Sequence, residues 1–366
     1  MLIDKKYPLF KRCLVMLVFS CCWFFLSCQK ALIRQRNLFV PAEFSTIEEA
    51  VKNSAAADTI IVRAGRYRIC PAGIHITQKN LTLRSAQGAG ETVLIGTGEA
   101  PLISFDQGCQ ATLDGFTLTV SDSDPNRACP LQGGGIYCAP YSSPTIINNF
   151  IVNHKAKFGG GIYCAEFSCP KIIHNTIVDN RAQVCGGGIF SFHASAKIAK
   201  NRLLRNSASF GGALFCNADR SVIKNNLIVK NTASHAGGGC IFIDSSASLV
   251  NNTICGNSAL FGGGVFGLAG GFEQLNNILW KNRDDLCLVD FAMTCRPQFS
   301  NITDADYLGV NGNISQDPLF IDPNHGDYRL RPESICHHSG HPQKVYNNPD
   351  GSRNTLGAYG GPEPLE

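Results

Sequence analysis

Residues 133–158 have the sequence GGGIYCAPYSSPTIINNFIVNHKAKF, and residues 159–185 follow with GGGIYCAEFSCPKIIHNTIVDNRAQVC. The second stretch repeats the first in register, and related stretches continue to residue 282. The repeats begin at Gly133, Gly159, Gly186, Gly211, Gly237 and Gly262, with spacings of 26, 27, 25, 26 and 25 residues. A fixed period of this length is typical of a solenoid of stacked units.

Two columns of asparagine share this register. The first contains Asn149, Asn175, Asn201, Asn226, Asn252 and Asn277. The second contains His154, Asn180, Asn206, Asn231, Asn257 and Asn282. The apolar runs between the glycine and asparagine columns are only a few residues long, which favours strands over helices. Three short strands in each unit predict an all-β fold, a single-stranded right-handed parallel β-helix of roughly ten coils, because crossovers between parallel strands are right-handed.

The columns become ladders in such a fold, with equivalent residues about 4.8 Å apart. We expect two aliphatic columns inside the solenoid, namely Ile151, Ile177, Leu203, Ile228, Ile254 and Leu279, and Ile146, Ile172, Ile198, Ile223 and Leu249. Cys138, Cys164 and Cys216 share another column and are predicted to be small interior residues. The asparagines are predicted to occupy left-handed turn positions and to bond to one another through their amides.

The two ends of the solenoid need closure, because open strand edges would otherwise be exposed. The segment Ser45-Thr46-Ile47-Glu48 has the pattern of a capping box and predicts a short helix with Ile47, Ala50 and Val51 on its buried face. The predicted organisation begins with a signal peptide (residues 1–27) and a tether (28–36). A cap with irregular coils (37–132), six regular coils (133–282) and an irregular C-terminal closing segment (283–366) follow.

Composition excludes several classes of protein. Charged residues make up 16% of the 366-residue chain and 37 residues are glycine, which argues against disorder and against a helical bundle. The formal net charge is +4, and the first 27 residues contribute +3 of it, from four basic residues and one acidic residue. The remaining charge of about +1 is too small to indicate a nucleic-acid partner.

The N-terminus has the pattern of an export signal. A basic segment precedes an apolar run from Cys13 to Leu26, which is too short to span a bilayer comfortably. Ser27 before Cys28 resembles a bacterial lipobox, which implies acylation of the Cys28 thiol and a membrane tether. The protein is therefore predicted to be exported and to lie in the cell envelope, as an outer-membrane or cell-surface lipoprotein.

Thirteen cysteines lie beyond Cys28. Export would permit disulfides, and three pairs are close enough in sequence to be candidates: Cys164 with Cys169, Cys287 with Cys295, and Cys109 with Cys129. The spacing of these cysteines does not match a zinc site, and we predict no metal.

The segments around the repeats resemble a known family. Val40-Pro41, residues 44–51, residues 58–62 and Gly65-Arg66-Tyr67 resemble the beginning of right-handed β-helix proteins of the pectate-lyase-like superfamily. The tail from Asp317 to Gly361 resembles the C-terminal segment of uncharacterised secreted members. The short repeats also resemble, more weakly, those of polymorphic outer-membrane proteins. These resemblances imply the fold and leave the function open, because the scaffold carries lyases, hydrolases and adhesins.

An aromatic column is the first candidate site. Four residues after the start of each repeat stand Tyr137, Tyr163, Phe190, Phe215 and Phe266, with an isoleucine in the fifth coil. If the neighbouring aliphatic residues face the interior, these rings form an exposed stripe on which sugars could stack. If the rings face the interior, they form a core ladder. Alternation alone leaves both possibilities open, because both faces are apolar.

A polar column is the second candidate. Asp179, Arg205 and Lys230 occupy equivalent positions in successive repeats. A polysaccharide lyase needs carboxylates that hold Ca²⁺ and a basic residue that removes a proton. These three are weak catalytic candidates, since such a column is also what a solvated surface with ion pairs contains.

The predicted function is binding or adhesion at the cell surface, with a polysaccharide as a candidate partner. One alternative is a polysaccharide-degrading enzyme, either a pectate-lyase-like lyase or a glycoside hydrolase, so catalysis is left open. Another alternative is an adhesin that binds a surface protein. No cofactor is predicted, except Ca²⁺ if the protein is a lyase.

Overall fold

In the computed structural model, the structure describes residues 35–77, 79–121, 129–289 and 295–365. The predicted signal peptide, Cys28, most of the predicted tether and residues 122–128 lie outside this part. The described chain winds into a right-handed parallel β-helix of about ten coils, which confirms the predicted fold class. Among the described residues, no helix is long and apolar enough to cross a bilayer.

The strands of the coils form four parallel sheets, numbered here 1 to 4 in the order the chain visits them. Sheet 1 consists of Asn37–Val40, Thr59–Val62, Thr82–Ser85, Thr112–Asp114, Thr145–Ile147, Lys171–Ile173, Lys197–Ala199, Val222–Lys224, Ser248–Val250 and Glu273–Leu275. Sheet 2 consists of Gly65–Arg68, Thr92–Gly96, Thr117–Val120, Phe150–Val152, Thr176–Val178, Arg202–Leu204, Leu227–Val229, Thr253–Cys255, Ile278–Trp280 and Asn301–Ile302.

Sheet 3 is shorter and is present only in the central coils. It consists of Lys155–Phe158, Arg181–Cys185, Ser207–Phe210 and Thr232–Ala236. Sheet 4 consists of Ile74–Ile76, Ile103–Phe105, Ile136–Cys138, Ile162–Cys164, Ile189–Phe192, Leu214–Asn217, Cys240–Ser245, Val265–Gly270 and Leu286–Leu288. Four strands in these coils correct the predicted three, because the segment after the second asparagine column pairs as a separate parallel ladder.

The interior is a stack of aliphatic columns. All members of both predicted columns are fully buried, as are Cys138, Cys164 and Cys216. The thirteen cysteines of the described chain are free thiols, so the three candidate disulfides are not formed.

The asparagine ladders are formed as predicted, except for their backbone conformation. Asn201 is typical: its amide nitrogen donates to the Ile172 carbonyl (2.7 Å) and to Asn226 Oδ1 (3.0 Å), and its own Oδ1 accepts from Asn175. The prediction that the ladder asparagines themselves are left-handed is wrong. The preceding residue has positive φ instead, as at Lys200 (55°).

The N-terminal helix, Ile47–Asn53, closes one end of the solenoid. Ile47, Ala50 and Val51 are buried as predicted. The cap lies one residue later than expected, because Thr46 Oγ1 accepts from the Glu49 amide (3.1 Å) and the Glu49 carboxylate accepts from Ser45.

The C-terminal segment lies along the side of the solenoid. It contains an antiparallel hairpin, Phe320–Asp322 with Asp327–Leu330, and 3-10 turns at Ala305–Tyr307, Val310–Gly312 and Lys344–Tyr346. Its apolar residues pack against outward-facing side chains of sheet 2 in the last coils, including Leu227, Val229 and Ile278. One stretch of sheet 2 is thereby covered, whereas sheet 3 stays open.

Candidate functional site

The turn between sheets 2 and 3 brings the three polar candidates together. Asp179, Arg205 and Lys230 have φ values of 55°, 49° and 56° in successive coils, so the same left-handed turn projects each side chain outward. Equivalent positions in neighbouring coils lie about 4.8 Å apart. The sequence therefore placed these residues on one ridge correctly, and their catalytic role stays a prediction.

Two members of this ridge neutralise each other. Arg205 Nε donates to Asp179 Oδ1 (2.9 Å) and Nη2 donates to Oδ2 (2.7 Å), a bidentate ion pair that raises the pKa of the Arg205 guanidinium. Both carboxylate oxygens of Asp179 are thereby occupied. Across residues 35–77, 79–121, 129–289 and 295–365, no group of three or more His, Cys, Asp or Glu side chains is placed to hold a metal ion.

An open groove runs across sheet 3, beside this ridge. Its volume is about 360 Å³. Three successive strands supply its lining: Arg181, Ala182, Gln183, Ser207, Ala208, Ser209, Thr232, Ala233 and Ser234. We call this surface the sheet 3 groove. Alternation along each strand points the polar side chains outward and an alanine inward.

The floor of the sheet 3 groove carries amide and hydroxyl groups, several of which bond within the protein. Gln183 is exposed: its side-chain Nε2 donates to Cys129 Sγ (3.4 Å), and its backbone carbonyl accepts from Ser209 Oγ (2.8 Å). Ser234 Oγ lies 3.0 Å from His235 Nδ1 at the edge of the groove. Hydroxyl and amide groups can both donate and accept, which matches the hydroxyl groups of a sugar.

The two long edges of the groove differ in chemistry. One edge is the ridge with Arg205 and Lys230. The other carries Phe210, whose ring stacks on His235 with centroids 4.9 Å apart and planes 20° apart. Phe210 is 36% exposed, so its ring remains accessible to a ligand.

The surroundings of the groove are positively charged. The four segments 153–158, 179–185, 205–210 and 230–236 contain Lys155, Lys157, Arg181, Arg205 and Lys230, with Asp179 as the only acidic residue. Five cations and one anion give a formal charge of +4. A local surplus of this kind attracts polyanions.

The predicted aromatic column matches neither of the two alternatives. The aliphatic neighbours face the interior, so the rings point outward, and yet Tyr163, Phe190 and Phe215 are only 5%, 7% and 4% exposed. They pack on one another in tilted pairs, with centroids 5.2 Å apart, and are covered by side chains from the end of sheet 3. Burial raises the pKa of Tyr163 to about 12. The alternative of an exposed stripe is therefore wrong for the three central rings, and Tyr137 and Phe266 are half-buried. A role of these rings in ligand binding stays a prediction.

A different aromatic pair is exposed. Tyr141 and Phe167 are 57% and 56% exposed, and their rings stack with centroids 5.2 Å apart. Both have positive φ, which is unusual for bulky residues. Their spacing of 26 residues in the repeat register could have revealed this pair from the sequence.

The comparisons with known proteins agree with the observed architecture. The model of the family described as "Right handed beta helix region" matches residues 102–283. Comparison with curated proteins gave no significant match.

Solved structures with a similar architecture include three enzymes. Pectate lyase Pel9A is 11% identical, with a TM-score of 0.43, covering 89% of this chain and 96% of that one. The PL6 family alginate lyase AlyGC is 15% identical, with a TM-score of 0.32, covering 77% of this chain and 49% of that one. The A-module of the Azotobacter vinelandii mannuronan C-5 epimerase AlgE6 is 14% identical, with a TM-score of 0.28, covering 71% and 91%. The family match over residues 102–283 and the observed coils agree that this part of the chain is a right-handed β-helix region.

Proposed function

We propose that this protein binds a polysaccharide along the sheet 3 groove. The observation that carries the proposal is the open groove itself, with hydroxyl and amide side chains on its floor and a stacked aromatic pair at one edge. A neutral sugar ring has the complementary surface, since its hydroxyls need hydrogen-bond partners and its apolar face packs on aromatic rings.

The repeated structure of the groove suits a repeated ligand. Ser207, Ser209, Thr232 and Ser234 present similar hydroxyls in neighbouring coils. A polymer that lies along the solenoid axis meets an equivalent set of groups about every 4.8 Å. Many weak and similar contacts can then add up along one chain.

Charge favours an acidic polymer. The formal charge of +4 around the groove would attract carboxylated or sulfated chains, and the attraction would weaken as salt screens it. We propose binding and adhesion rather than cleavage, because Arg205 and Asp179 are engaged with each other.

The proposal includes the surface location that the N-terminus predicts. A lipid-anchored protein that displays a glycan-binding groove would act as an adhesin or a surface receptor. Metabolic labelling with a palmitate analogue tests the anchor: the wild-type protein should be labelled and a Cys28→Ala variant should not.

Retention on immobilised polysaccharides tests the binding function. We would measure retention of the purified full-length protein on acidic and neutral polysaccharides with Ca²⁺ present, and would assay the eluate for new chain ends. The test variant is Phe210→Ala, and the matched control is Phe261→Ala. Phe261 pairs with Ala236 in the same register and is 53% exposed, but it lies outside the groove.

We expect an acidic polymer to be retained and Phe210→Ala to weaken its affinity roughly three- to tenfold, as expected for loss of one aromatic contact. Phe261→Ala should bind like the wild type. Equal retention of all three proteins would place the binding site elsewhere. Release of unsaturated chain ends would contradict the proposed non-catalytic role and would support the lyase alternative.

A further inference from the structure

The outward face of sheet 3 changes in charge along the solenoid axis. In its first two strands the outward side chains are exposed, and they are Lys155, Lys157, Arg181 and Gln183. In its next two strands the same positions hold Ser207, Ser209, Thr232 and Ser234. The floor of the sheet 3 groove therefore continues into three cations at one end, the cationic end, and has only hydroxyl groups at the other, the hydroxyl end.

The register of sheet 3 places two of these cations next to each other. Lys155 pairs with Arg181 in the parallel ladder, so their backbones lie about 4.8 Å apart. Arg181 pairs in turn with Ser207, the first residue of the hydroxyl end. Lys155 and Arg181 are thus close enough to bind the same carboxylate, and the hydroxyl groups begin one coil further along the axis.

The protein does not neutralise the cationic end. Within the described chain, neither the Arg181 guanidinium nor the Lys155 ammonium forms a hydrogen bond or an ion pair. Lys157 Nζ lies 5.6 Å from the ring centroid of the residue that follows it, a contact that does not cancel its charge. Asp179 is two residues from Arg181 in sequence, but both of its carboxylate oxygens accept from Arg205. The donors of Arg181 are therefore open to a ligand.

The hydroxyl end suits an uncharged sugar. Ser207 and Thr232 make no side-chain hydrogen bond within the described chain, and a hydroxyl group can both donate and accept. The exposed ring of Phe210 borders this end, whereas Lys230 lies on the ridge and not on the floor. A carboxylate placed on this floor would lose hydration without meeting a guanidinium.

We propose that the sheet 3 groove recognises a polysaccharide of mixed composition, in which carboxylated and neutral sugars occur in one chain. The carboxylate binds to Arg181 and Lys155, because a guanidinium presents paired donors that match its two oxygens. The neutral sugar lies over the hydroxyl end. Arg181 and Thr232 are two coils apart, about 10 Å, so a short stretch of one chain covers both ends. This inference rests on the proposed function, since it assigns specificity to the same groove.

Isothermal titration of the full-length protein at low ionic strength tests the proposal with matched ligands. The first probe is a hyaluronan decasaccharide, in which glucuronate alternates with N-acetylglucosamine. The second is the same oligosaccharide with its carboxylates reduced to alcohols, and the third is a decagalacturonate, which is carboxylated on every sugar. The test variant is Arg181→Gln. The matched control is Arg220→Gln, since Arg220 is also exposed but lies between sheets 4 and 1, outside the groove.

We expect the wild type to bind the hyaluronan probe about tenfold more tightly than its reduced form and more tightly than the decagalacturonate. Arg181→Gln should lose about tenfold in affinity for the hyaluronan probe, as for loss of one charged hydrogen bond, and should bind the reduced form like the wild type. Phe210→Ala should weaken the binding of both forms by the same factor. Added salt should reduce the difference between the two forms, because it screens only the charged contact.

Three results would overturn the proposal while glycan binding in the groove remained. The first is equal affinity of the wild type for the hyaluronan probe and its reduced form. The second is an equal loss of affinity in Arg181→Gln and Arg220→Gln, which would indicate a general effect of surface charge. The third is tighter binding of the decagalacturonate, which would indicate a uniformly acidic chain. The absence of any heat of binding with all three probes, together with no retention on any immobilised polysaccharide, would instead contradict the proposed function itself.

Discussion

The left-handed residue before each ladder asparagine explains how the solenoid displays outward side chains at its turns. In the turn between sheets 2 and 3 this position is occupied by Asn153, Asp179, Arg205, Lys230, Gly256 and Lys281, all with positive φ. The ladder asparagine next to it makes the bonds between coils. Because these tasks fall to different residues, the outward side chain can vary while the ladder is maintained.

The sequence predicted the ladders but assigned the left-handed conformation to the wrong residue. Asn148-Asn149 and Asn225-Asn226 show why, since asparagine stands at both positions in these turns. Asparagine tolerates positive φ and also bonds through its amide. Composition alone cannot separate these two roles, and Lys200 before Asn201 points the wrong way, because lysine adopts positive φ less readily than asparagine.

The ladder bonds should contribute strongly to stability, and Asn201→Ala tests this at the residue scale. Asn201 is fully buried, and its loss would leave the Ile172 carbonyl and the Asn175 amide without their partners. Burying unpaired polar groups should reduce the free energy of unfolding by about 3 kcal/mol, measured by urea denaturation. Asn217→Ala is the control, because the half-buried Asn217 makes no side-chain hydrogen bond within the described chain. Equal effects of the two variants would contradict the role of the ladder.

His154 should make the stability of the protein depend on pH. It replaces asparagine in the first place of the second ladder, and neither of its ring nitrogens has a hydrogen-bond partner within the described chain. Burial lowers its pKa from 6.5 to about 4, against a smaller opposing effect of the Leu118 and Gly134 carbonyls. The unfolded chain therefore binds a proton more readily than the folded protein. Stability should fall as the pH drops below 6.5 and should level off below about 4, with a total loss of about 3 kcal/mol.

Urea denaturation of His154→Asn between pH 7.5 and pH 4 measures this contribution. Asparagine matches the residues of the other coils, so the variant should be more stable and should lose less stability on acidification. His235→Asn is the control, since His235 is exposed beside Phe210. An unchanged pH profile in His154→Asn would show that His154 is not responsible.

At the scale of elements, the periodicity of the sequence predicts the coils but does not predict sheet 3. The pattern predicted the coils and their interior columns, because buried aliphatic residues recur in a fixed register. It did not predict sheet 3 or the burial of the aromatic column, because both depend on packing outside the solenoid interior. Phe158, Cys185 and Ala236 cover the rings from neighbouring strands, and alternation along one strand contains no information about that contact.

Gly212→Ala should distort the connection between sheets 3 and 4. A Cβ at this position would overlap the backbone carbonyl oxygens of Gly238 and Thr232 in the next coil. Neither oxygen can move away without breaking the parallel ladder, so we expect a loss of at least about 3 kcal/mol in thermal or urea unfolding. Ala213→Gly is the neighbouring control and should cost only about 1 kcal/mol. A Gly212→Ala variant as stable as the wild type would show that the backbone at this corner can relax.

At the scale of the whole molecule, the repeats could not predict the contacts of the tail. The C-terminal segment was expected to wrap or close the end of the solenoid, and its apolar residues between 320 and 365 pack along sheet 2. The repeats predicted the ridge of Asp179, Arg205 and Lys230 because it lies within one register. They could not predict Tyr328 beside it, since this contact joins segments about one hundred residues apart without a shared period.

The attachment of the tail depends on a third set of asparagines. Asn225, Asn251 and Asn276 are buried and precede ladder residues, and each bonds to the tail. Asn251 Nδ2 donates to the Thr355 carbonyl (2.9 Å), and its Oδ1 accepts from Asn354 Nδ2 (3.2 Å). These bonds hold the tail in place while the coils carry their own ladders.

Asn251→Ala should therefore release the tail without unfolding the coils. The lost bonds leave buried tail groups unpaired, which favours local opening over global unfolding. Hydrogen exchange should become at least about tenfold faster in residues 318–358 and should stay unchanged in residues 145–229. Asn148→Ala is the matched control, because Asn148 has the same turn position in the first regular coil and bonds to Asp114 instead of the tail. If exchange accelerated equally throughout the coils, the tail and the solenoid would be one cooperative unit.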